Sequence, residues 1–204
     1  MALLHRTTLR PTKLELLSVW LPTRHWFQGE GDVERVAGFR FDDPAGEVGV
    51  ETMLVRSGDG PVHQVPLTYR AAPLTGGEDF LVGIAEHGVL GRRWLYDACG
   101  DPVYATALTR AILADGGQSE EYFEEDGRRE VRAPSMTVTG SGGGEVPTAT
   151  AVRQVTDGDP TRIVTDTVEL TVLRRLGGTE SSLPSLTGIW NGRTELLAHV
   201  GISD

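Results

Sequence analysis

The chain contains a single cysteine, Cys99, and a single lysine, Lys13. One cysteine cannot form an internal disulfide bond or a zinc site built from several thiolates, which is typical of proteins in a reducing compartment. No apolar run approaches the roughly 18 residues that a membrane-spanning helix requires. The first residues also lack the apolar core and the small-residue cleavage site of a secretory signal. These absences favour a cytoplasmic protein that does not enter a membrane.

Positive charge is scarce as well. Nineteen basic residues stand against 29 acidic ones, so the net charge is −10. This balance argues against nucleic acid or an anionic membrane as a main partner, because both attract basic surfaces. The 39% hydrophobic and 24% charged fractions are those of a globular protein. Its 204 residues make one domain or two small ones.

No arrangement of residues predicts catalysis or metal binding. The chain has no G-x-S-x-G nucleophile elbow, and its five histidines show neither an H-x-x-x-H nor an H-x-H spacing. The glycine-rich stretch 140–144 lacks the Lys-Ser/Thr pair of a phosphate-binding loop. Cys99 precedes a predicted helix, but a small buried apolar residue is the simpler interpretation. We therefore predict no catalytic residue, no metal and no cofactor.

Three extended segments and two helices define the expected fold. Residues 33–41, 47–56 and 62–70 each contain several apolar residues, mainly Val, and are separated by turn residues, which predicts an antiparallel meander. Pro66 inside the third segment favours an edge strand or a bulge. One helix should have Pro11 in its first turn and end near Leu21, and another should have Asp101 as its N-cap and end at a Gly-Gly pair. We predict an α+β fold in which both helices cover one face of the meander.

The second half of the chain changes character after the second helix. An acidic cluster that extends to Asp126, followed by the glycines of 140–144, is typical of a connector. The remaining residues are rich in Val and Thr and predict three or four further strands. We therefore divide the chain into an α+β domain (1–117), a connector (118–147) and a β-rich unit (148–204), which could pack on the first domain as one compact body.

Three motifs resemble a known family: W-L-P-T-R-H-W-F at 20–27, Q-V-P-L-T-Y-R at 64–70 and G-R-R-W-L-Y-D at 91–97. They are similar to the N-terminal cap domain of actinobacterial maltokinases, and most of all to standalone cap-like proteins that are often labelled 1,4-α-glucan branching protein. The resemblance covers roughly residues 1–115 and implies a cystatin-like cap. None of the three motifs is catalytic.

The segment L-T-V-L-R-R-L at 170–176 resembles the first strands of the kinase N-lobe that follows this cap in full-length maltokinases. Thr171 stands where the family carries an ATP-contacting lysine, and a threonine cannot supply that cation. The resemblance therefore implies a pseudo-kinase remnant that lacks phosphotransfer activity, and we lean towards a protein that is not an enzyme.

Three functions follow from these observations. The first is an interaction or regulatory module linked to maltose, trehalose or α-glucan metabolism, with an enzyme of that metabolism as partner. The second is a binder of a small molecule or glucan, and the third, which 204 residues can hardly support, is a branching enzyme. Strand addition at 62–70 and a homodimer through an exposed sheet edge are further hypotheses. The candidate binding residues are Trp20, Arg24, Trp26, Phe27, Tyr69, Arg70, Arg92 and Trp94.

Overall fold

The structure is a computed structural model that describes residues 2–4, 7–114, 116–125, 128–147, 151–177 and 181–202. Asp126 of the acidic cluster and residues 148–150, at the start of the predicted β-rich unit, lie outside these ranges. Within them the chain forms fifteen β-strands and two α-helices. In chain order they are β1 (Ala2–Leu4), β2 (Leu9–Arg10), α1 (Lys13–Trp20), β3 (Val33–Phe41), β4 (Gly49–Ser57), β5 (His63–Arg70), β6 (Leu81–His87), β7 (Gly91–Asp97), α2 (Pro102–Leu113), β8 (Glu121–Glu125), β9 (Arg128–Val131), β10 (Thr137–Gly140), β11 (Val152–Thr156), β12 (Thr161–Thr165), β13 (Val168–Val172), β14 (Ser185–Trp190) and β15 (Arg193–Ile202).

The first six-stranded sheet, called sheet I here, has the order β2-β6-β7-β5-β4-β3 with antiparallel pairing throughout. The predicted meander is its β3-β4-β5 part. A second six-stranded antiparallel sheet, sheet II, has the order β10-β14-β15-β13-β12-β11. A small third sheet pairs β1 with β8 in parallel and β8 with β9 in antiparallel fashion. The α+β class is confirmed.

The two helices lie on opposite faces of sheet I, so the prediction that both cover one face is wrong. Strand β4 shows the reason, since alternate residues of a strand point to opposite sides. Met53 packs with Leu17 of α1 in one cluster, whereas Leu54 packs with Leu108 of α2 in another. Both faces of β4 are apolar, and each of them is covered by a different helix.

Helix α2 lies between the two sheets and joins them through one apolar core. That core contains Phe39 and Leu54 of sheet I, Leu108 of α2, and Leu170 and Val200 of sheet II. The β-rich unit predicted from the sequence therefore supplies part of the core of the α+β domain. The unit forms five strands, β11 to β15, against an expectation of three or four, and β10 from the predicted connector is the sixth strand of its sheet.

Strand β5 has neighbours on both sides, so the prediction of an edge strand at Pro66 is wrong. On one side β5 pairs with β4 along its length. On the other side the Gln64 N–H donates to the Arg174 carbonyl at 2.7 Å, and β7 begins to pair at Leu67. Pro66 has no N–H to donate, and it sits where one neighbour ends and the next begins. Strand addition at 62–70 has no free edge to use.

The glycine-rich stretch 140–144 packs against the end of α2. The Gly140 N–H donates to the Gly116 carbonyl at 2.8 Å, and the Gly142 N–H donates to the Ile112 carbonyl at 2.9 Å. A Cβ atom on Gly140 would lie 1.9 Å from the Ala111 carbonyl oxygen, so only glycine allows this approach. The carbonyls at the end of α2 thus find their donors in the following chain. Neither α-helix in the described ranges has the length and apolar character needed to span a membrane.

Candidate functional site

The aromatic motif at 20–27 folds inward at the end of α1. Trp20 is the last residue of α1, and a single 3₁₀ turn over Leu21–Thr23 reverses the chain because Pro22 cannot continue an α-helix. The turn brings the buried Trp20 and Trp26 rings edge to face, with centroids 6.0 Å apart. The Arg24 guanidinium lies 5.1 Å from the Trp20 ring centroid. Both indoles belong to the core and neither presents a face to solvent.

The same motif binds the hairpin between β11 and β12. Trp26 Nε1 donates to Asp157 Oδ1 at 2.7 Å, and Arg24 and His25 lie 3.7 and 3.9 Å from the same carboxylate. The Phe27 and His63 rings are in contact, with centroids 4.9 Å apart. Of the eight predicted binding residues, Arg24 and Trp26 therefore contact sheet II directly, and Trp20 and Phe27 pack beside them on the sheet I side.

A buried arginine from the L-T-V-L-R-R-L segment completes this junction. Arg174 Nη2 donates to Asp97 Oδ2 at 2.6 Å, and its Nε donates to the Thr161 hydroxyl at 2.7 Å. The guanidinium lies 4.7 Å from the Trp26 ring centroid and is fully buried. Burial by itself would lower the pKa of Arg174, but Asp97 and the other acidic groups around the guanidinium, Cys99 and Asp157, together raise it. Arg174 therefore stays charged within the core.

Sequence reasoning missed Arg174 and Asp97 as partners. The motif L-R-R-L offers two adjacent arginines, and strand alternation indicates only that one of them faces inward. Asp97 is the last residue of the G-R-R-W-L-Y-D motif, and its position there predicts only the end of a strand. The one available signal is the position of Asp97 directly after three large apolar or aromatic residues, which is unusual for a solvated carboxylate.

Tyr69 belongs to a different cluster on the α1 side of sheet I. Its hydroxyl donates to Glu51 Oε2 at 2.9 Å, and Arg40 Nη2 donates to the same oxygen at 2.8 Å. The Lys13 ammonium forms an ion pair with this carboxylate too. Burial would raise the pKa of Glu51, but Arg40 and Lys13 outweigh it and hold the pKa well below the usual value of 4.5. The Glu51 cluster was not predicted from the sequence.

The remaining predicted residues lie on the α2 side of sheet I, where the sheet extends beyond the helix. Arg70 makes two hydrogen bonds of 2.7 Å to Asp101, the N-cap of α2. Its cross-strand neighbour Trp94 is half-buried and stands beside Ile84, while Arg92 is exposed and pairs with Glu86 at 2.9 Å. This surface, formed by Arg70, Ile84, Arg92 and Trp94, is called the Trp94 face.

A groove of about 810 Å³ beside the second half of α2 contains none of the eight predicted residues. Its walls are largely apolar, from Phe41, Ala107, Ala111 and Pro147, with Arg110 at the rim. Thr171, on β13 between Arg162 and His199, does not line it. Among the described residues, no group of three or more His, Cys, Asp or Glu side chains could hold a metal ion.

The fold defines a class of α+β protein in which an antiparallel sheet is covered by a helix on each face. Residues 20–101 match the maltokinase N-terminal cap domain, about two fifths of the sequence. The resemblance read from the three motifs is confirmed, because all three lie inside the matched segment. This segment is therefore maltokinase N-cap-like. No curated protein matches the chain.

Proposed function

We propose that the protein is a non-catalytic, cap-like interaction or regulatory module that works with an enzyme of maltose, trehalose or α-glucan metabolism. The observation that carries this proposal is the match of residues 20–101 to the maltokinase N-terminal cap domain. In this proposal the cap is cystatin-like, and the unit over 148–204 is the remnant of a kinase N-lobe. The division into 1–117, 118–147 and 148–204, with the last unit packed on the first as one compact body, and a cytoplasmic location belong to the same proposal.

The contacts of the remnant support a structural use of the kinase-like segment. Arg174 is bound to Asp97 of the cap and stacked on Trp26, so this part of L-T-V-L-R-R-L is committed to the fold. Thr171 lies within β13, between β12 and β15, and carries no positive charge for a nucleotide phosphate. In this proposal the segment stabilises the core of the protein and does not form a nucleotide site.

Two measurements test this proposal. The purified chain, incubated with ATP, Mg²⁺ and maltose, should transfer no phosphate to the sugar, and maltose phosphorylation would overturn the non-catalytic role. Affinity capture with the tagged full chain from an actinobacterial lysate should enrich a maltose- or trehalose-processing enzyme. That enzyme, once purified, should comigrate with the chain in size-exclusion chromatography. Failure to comigrate would count against the partner class.

The Trp94 face favours a second candidate, glucan binding. Sugars are recognised by an aromatic ring that stacks on the pyranose face and by charged side chains at its edge. Trp20 and Trp26 are buried, whereas Trp94 is partly exposed and shares its face of the sheet with Arg70 and Arg92. Of the sugar-binding residues predicted from the sequence, these three are the ones that a glucan chain could reach together.

Calorimetry with maltose, maltooligosaccharides and glycogen decides between the two candidates. Glucan binding predicts heat of binding that Trp94→Ala abolishes. Tyr122→Ala serves as the matched control, because Tyr122 is also a half-buried aromatic residue but lies in the small third sheet. Absence of heat with every glucan would remove this candidate. An iodine-stain assay that shows no change in glucan branching would dispose of the branching activity.

A further inference from the structure

The Glu51 cluster contains more positive charge than its carboxylates neutralise. Lys13, Arg35 and Arg40 surround Glu51, and the three donors Lys13, Arg40 and Tyr69 all bind its Oε2 atom. Glu51 Oε1 lies 3.9 Å from Arg35 Nη2, which is too long for a hydrogen bond. Arg35 is thus attracted to the cluster but is not bound by it.

Arg35 lies along the sheet with its donors unused. Its Nη2 would be 2.7 Å from a Cβ atom on Gly38, so the guanidinium occupies space that only a glycine leaves open. Its Nε atom is buried and has no acceptor. Within the described part of the chain, no residue accepts a hydrogen bond from the Arg35 side chain. A guanidinium carries five N–H donors in a planar fork that matches a phosphate or carboxylate.

The charge count around Arg35 favours an anion. Glu121 neutralises part of Arg40, with 3.1 Å between its carboxylate and Arg40 Nε, and Arg132 lies 3.3 Å from the same Glu121 side chain. The four cations Lys13, Arg35, Arg40 and Arg132 therefore face two carboxylates in a chain whose net charge is −10. The side chains of Lys13, Arg35 and Arg40 are 30%, 26% and 17% exposed, so a small ion from solvent can reach them.

The same excess of positive charge affects the pKa of Lys13. Burial lowers its pKa, Arg40 lowers it further, and Glu51 opposes the fall. A second anion beside Lys13 would stabilise the ammonium form. The cluster therefore gains stability from any ligand that brings negative charge to this side of sheet I.

We propose that Arg35, Lys13 and Arg40 form a binding site for a phosphate group, either inorganic phosphate or the phosphate of a sugar ester. Arg35 supplies the planar fork, and Lys13 and Arg40 supply the donors that Glu51 does not use. Glu51 and Gly38 are positioning residues: Glu51 holds the two neighbouring cations in place, and Gly38 leaves room for the Arg35 guanidinium. This site is separate from the junction at Trp26 and from the Trp94 face.

The single lysine provides a direct test in the unmodified full chain. An N-hydroxysuccinimide ester acylates Lys13 and the N-terminal amine, and mass spectrometry separates the two products. Inorganic phosphate should slow acylation of Lys13 in a saturable manner, with the N-terminal amine as internal reference, and chloride at equal ionic strength should not. If phosphate does not change the rate of Lys13 acylation, or if chloride slows it equally, the proposed site is wrong.

Calorimetry with inorganic phosphate and with a hexose phosphate tests the role of Arg35. Arg35→Gln should weaken phosphate binding roughly tenfold or more, since a charge-assisted pair is lost. Arg35→Lys should retain part of the affinity, and Arg162→Gln, at an exposed ion pair with Glu169, should retain all of it. Tighter binding of a hexose phosphate than of inorganic phosphate would assign the sugar ester as ligand, and equal affinity would assign the phosphate group alone. Unchanged affinity in Arg35→Gln would refute the assignment.

Discussion

Arg174 and Arg175 are adjacent residues with opposite environments. Arg174 is buried against Trp26 and paired with Asp97, whereas Arg175 is about half exposed, with 3.6 Å between its Nε and Asp159. Asp159 Oδ1 accepts from the backbone N–H groups of both residues, at 3.1 and 3.2 Å. This carboxylate fixes the backbone where β13 ends, and strand alternation then sends one side chain into the core.

Replacing Arg174 should destabilise the protein strongly. Arg174→Met fills similar volume but leaves Asp97 as an uncompensated buried charge, so we expect a loss of about 3–5 kcal/mol in the free energy of unfolding. Urea titration followed by tryptophan fluorescence measures it. Arg162→Gln is the matched control, because Arg162 pairs with Glu169 at the surface and should cost less than about 1 kcal/mol. Equal losses in the two variants would contradict the role of the buried pair.

Glu51 should make stability depend on pH. Its folded-state pKa lies below the ordinary value of 4.5, so its contribution is fully present above that pH and is lost as the pH falls further. Glu51→Gln should therefore be less stable than the parent chain by about 3–5 kcal/mol at neutral pH. The difference should shrink below pH 4.5 as the parent carboxylate is protonated.

Urea titrations at neutral pH and at several acidic values measure this difference. Glu34→Gln is the control, since Glu34 forms an exposed pair with Arg56 at 2.6 Å. Its difference from the parent chain should be small at every pH. A Glu51→Gln difference that stays constant with pH would contradict the linkage.

The candidate residues illustrate what sequence can say at this scale. Aromatic residues beside arginine indicate ligand contacts at Trp20, Trp26 and Trp94, but sequence periodicity does not distinguish an exposed ring from a buried one. The structure buries the first two and leaves the third half-exposed. The sequence does not single out Arg35. Its guanidinium is left without an acceptor because it lies over Gly38 and because Glu51, on the neighbouring strand, is too far away to bind it.

Among the elements, those with local signals were predicted well. Strand β3 has the predicted bounds, and α2 begins at Pro102 with the Asp101 side chain accepting from the Val103 N–H, as the capping signal indicated. The elements that were missed depend on distant partners. Strand β10 joins sheet II through β14, and β1 pairs in parallel with β8 more than one hundred residues later. No local pattern contains such pairings.

The tight packing of β10 on α2 yields a prediction at the scale of an element. Gly140→Ala would drive a methyl group into the carbonyls of Ala111 and Ile112, so α2 and β10 must separate, at a cost of about 1–3 kcal/mol. Gly201→Ala is the control, because the nearest atom to its added Cβ, the Glu169 oxygen, is 4.0 Å away. Thermal unfolding of both variants measures the effect, and an unchanged midpoint for Gly140→Ala would show that the stretch is free of α2.

At the scale of the whole molecule, the two large sheets depend on each other. Helix α2 presents Leu108 and Ile112 to a core that contains Phe39 from sheet I and Leu170 from sheet II. Charged and polar groups cross the same junction, with Asp97 bound to Arg174 and Trp26 bound to Asp157. Residues 1–117 alone would therefore leave one side of α2 and the buried Asp97 carboxylate without partners.

Separation of the predicted domains should thus abolish cooperative folding. A fragment of residues 1–117 keeps sheet I and α2 but loses Arg174, the partner of Asp97, and the sheet II side of the core. Because a bare apolar face and an unpaired buried charge each cost several kcal/mol, their sum approaches the 5–15 kcal/mol that stabilises a typical domain. We expect the fragment to lack a sharp near-ultraviolet circular dichroism spectrum and a cooperative urea transition, whereas the full chain should unfold in one transition. A fragment with a native-like spectrum and its own cooperative transition would instead establish 1–117 as an independent domain, with sheet II as a separate body docked on it.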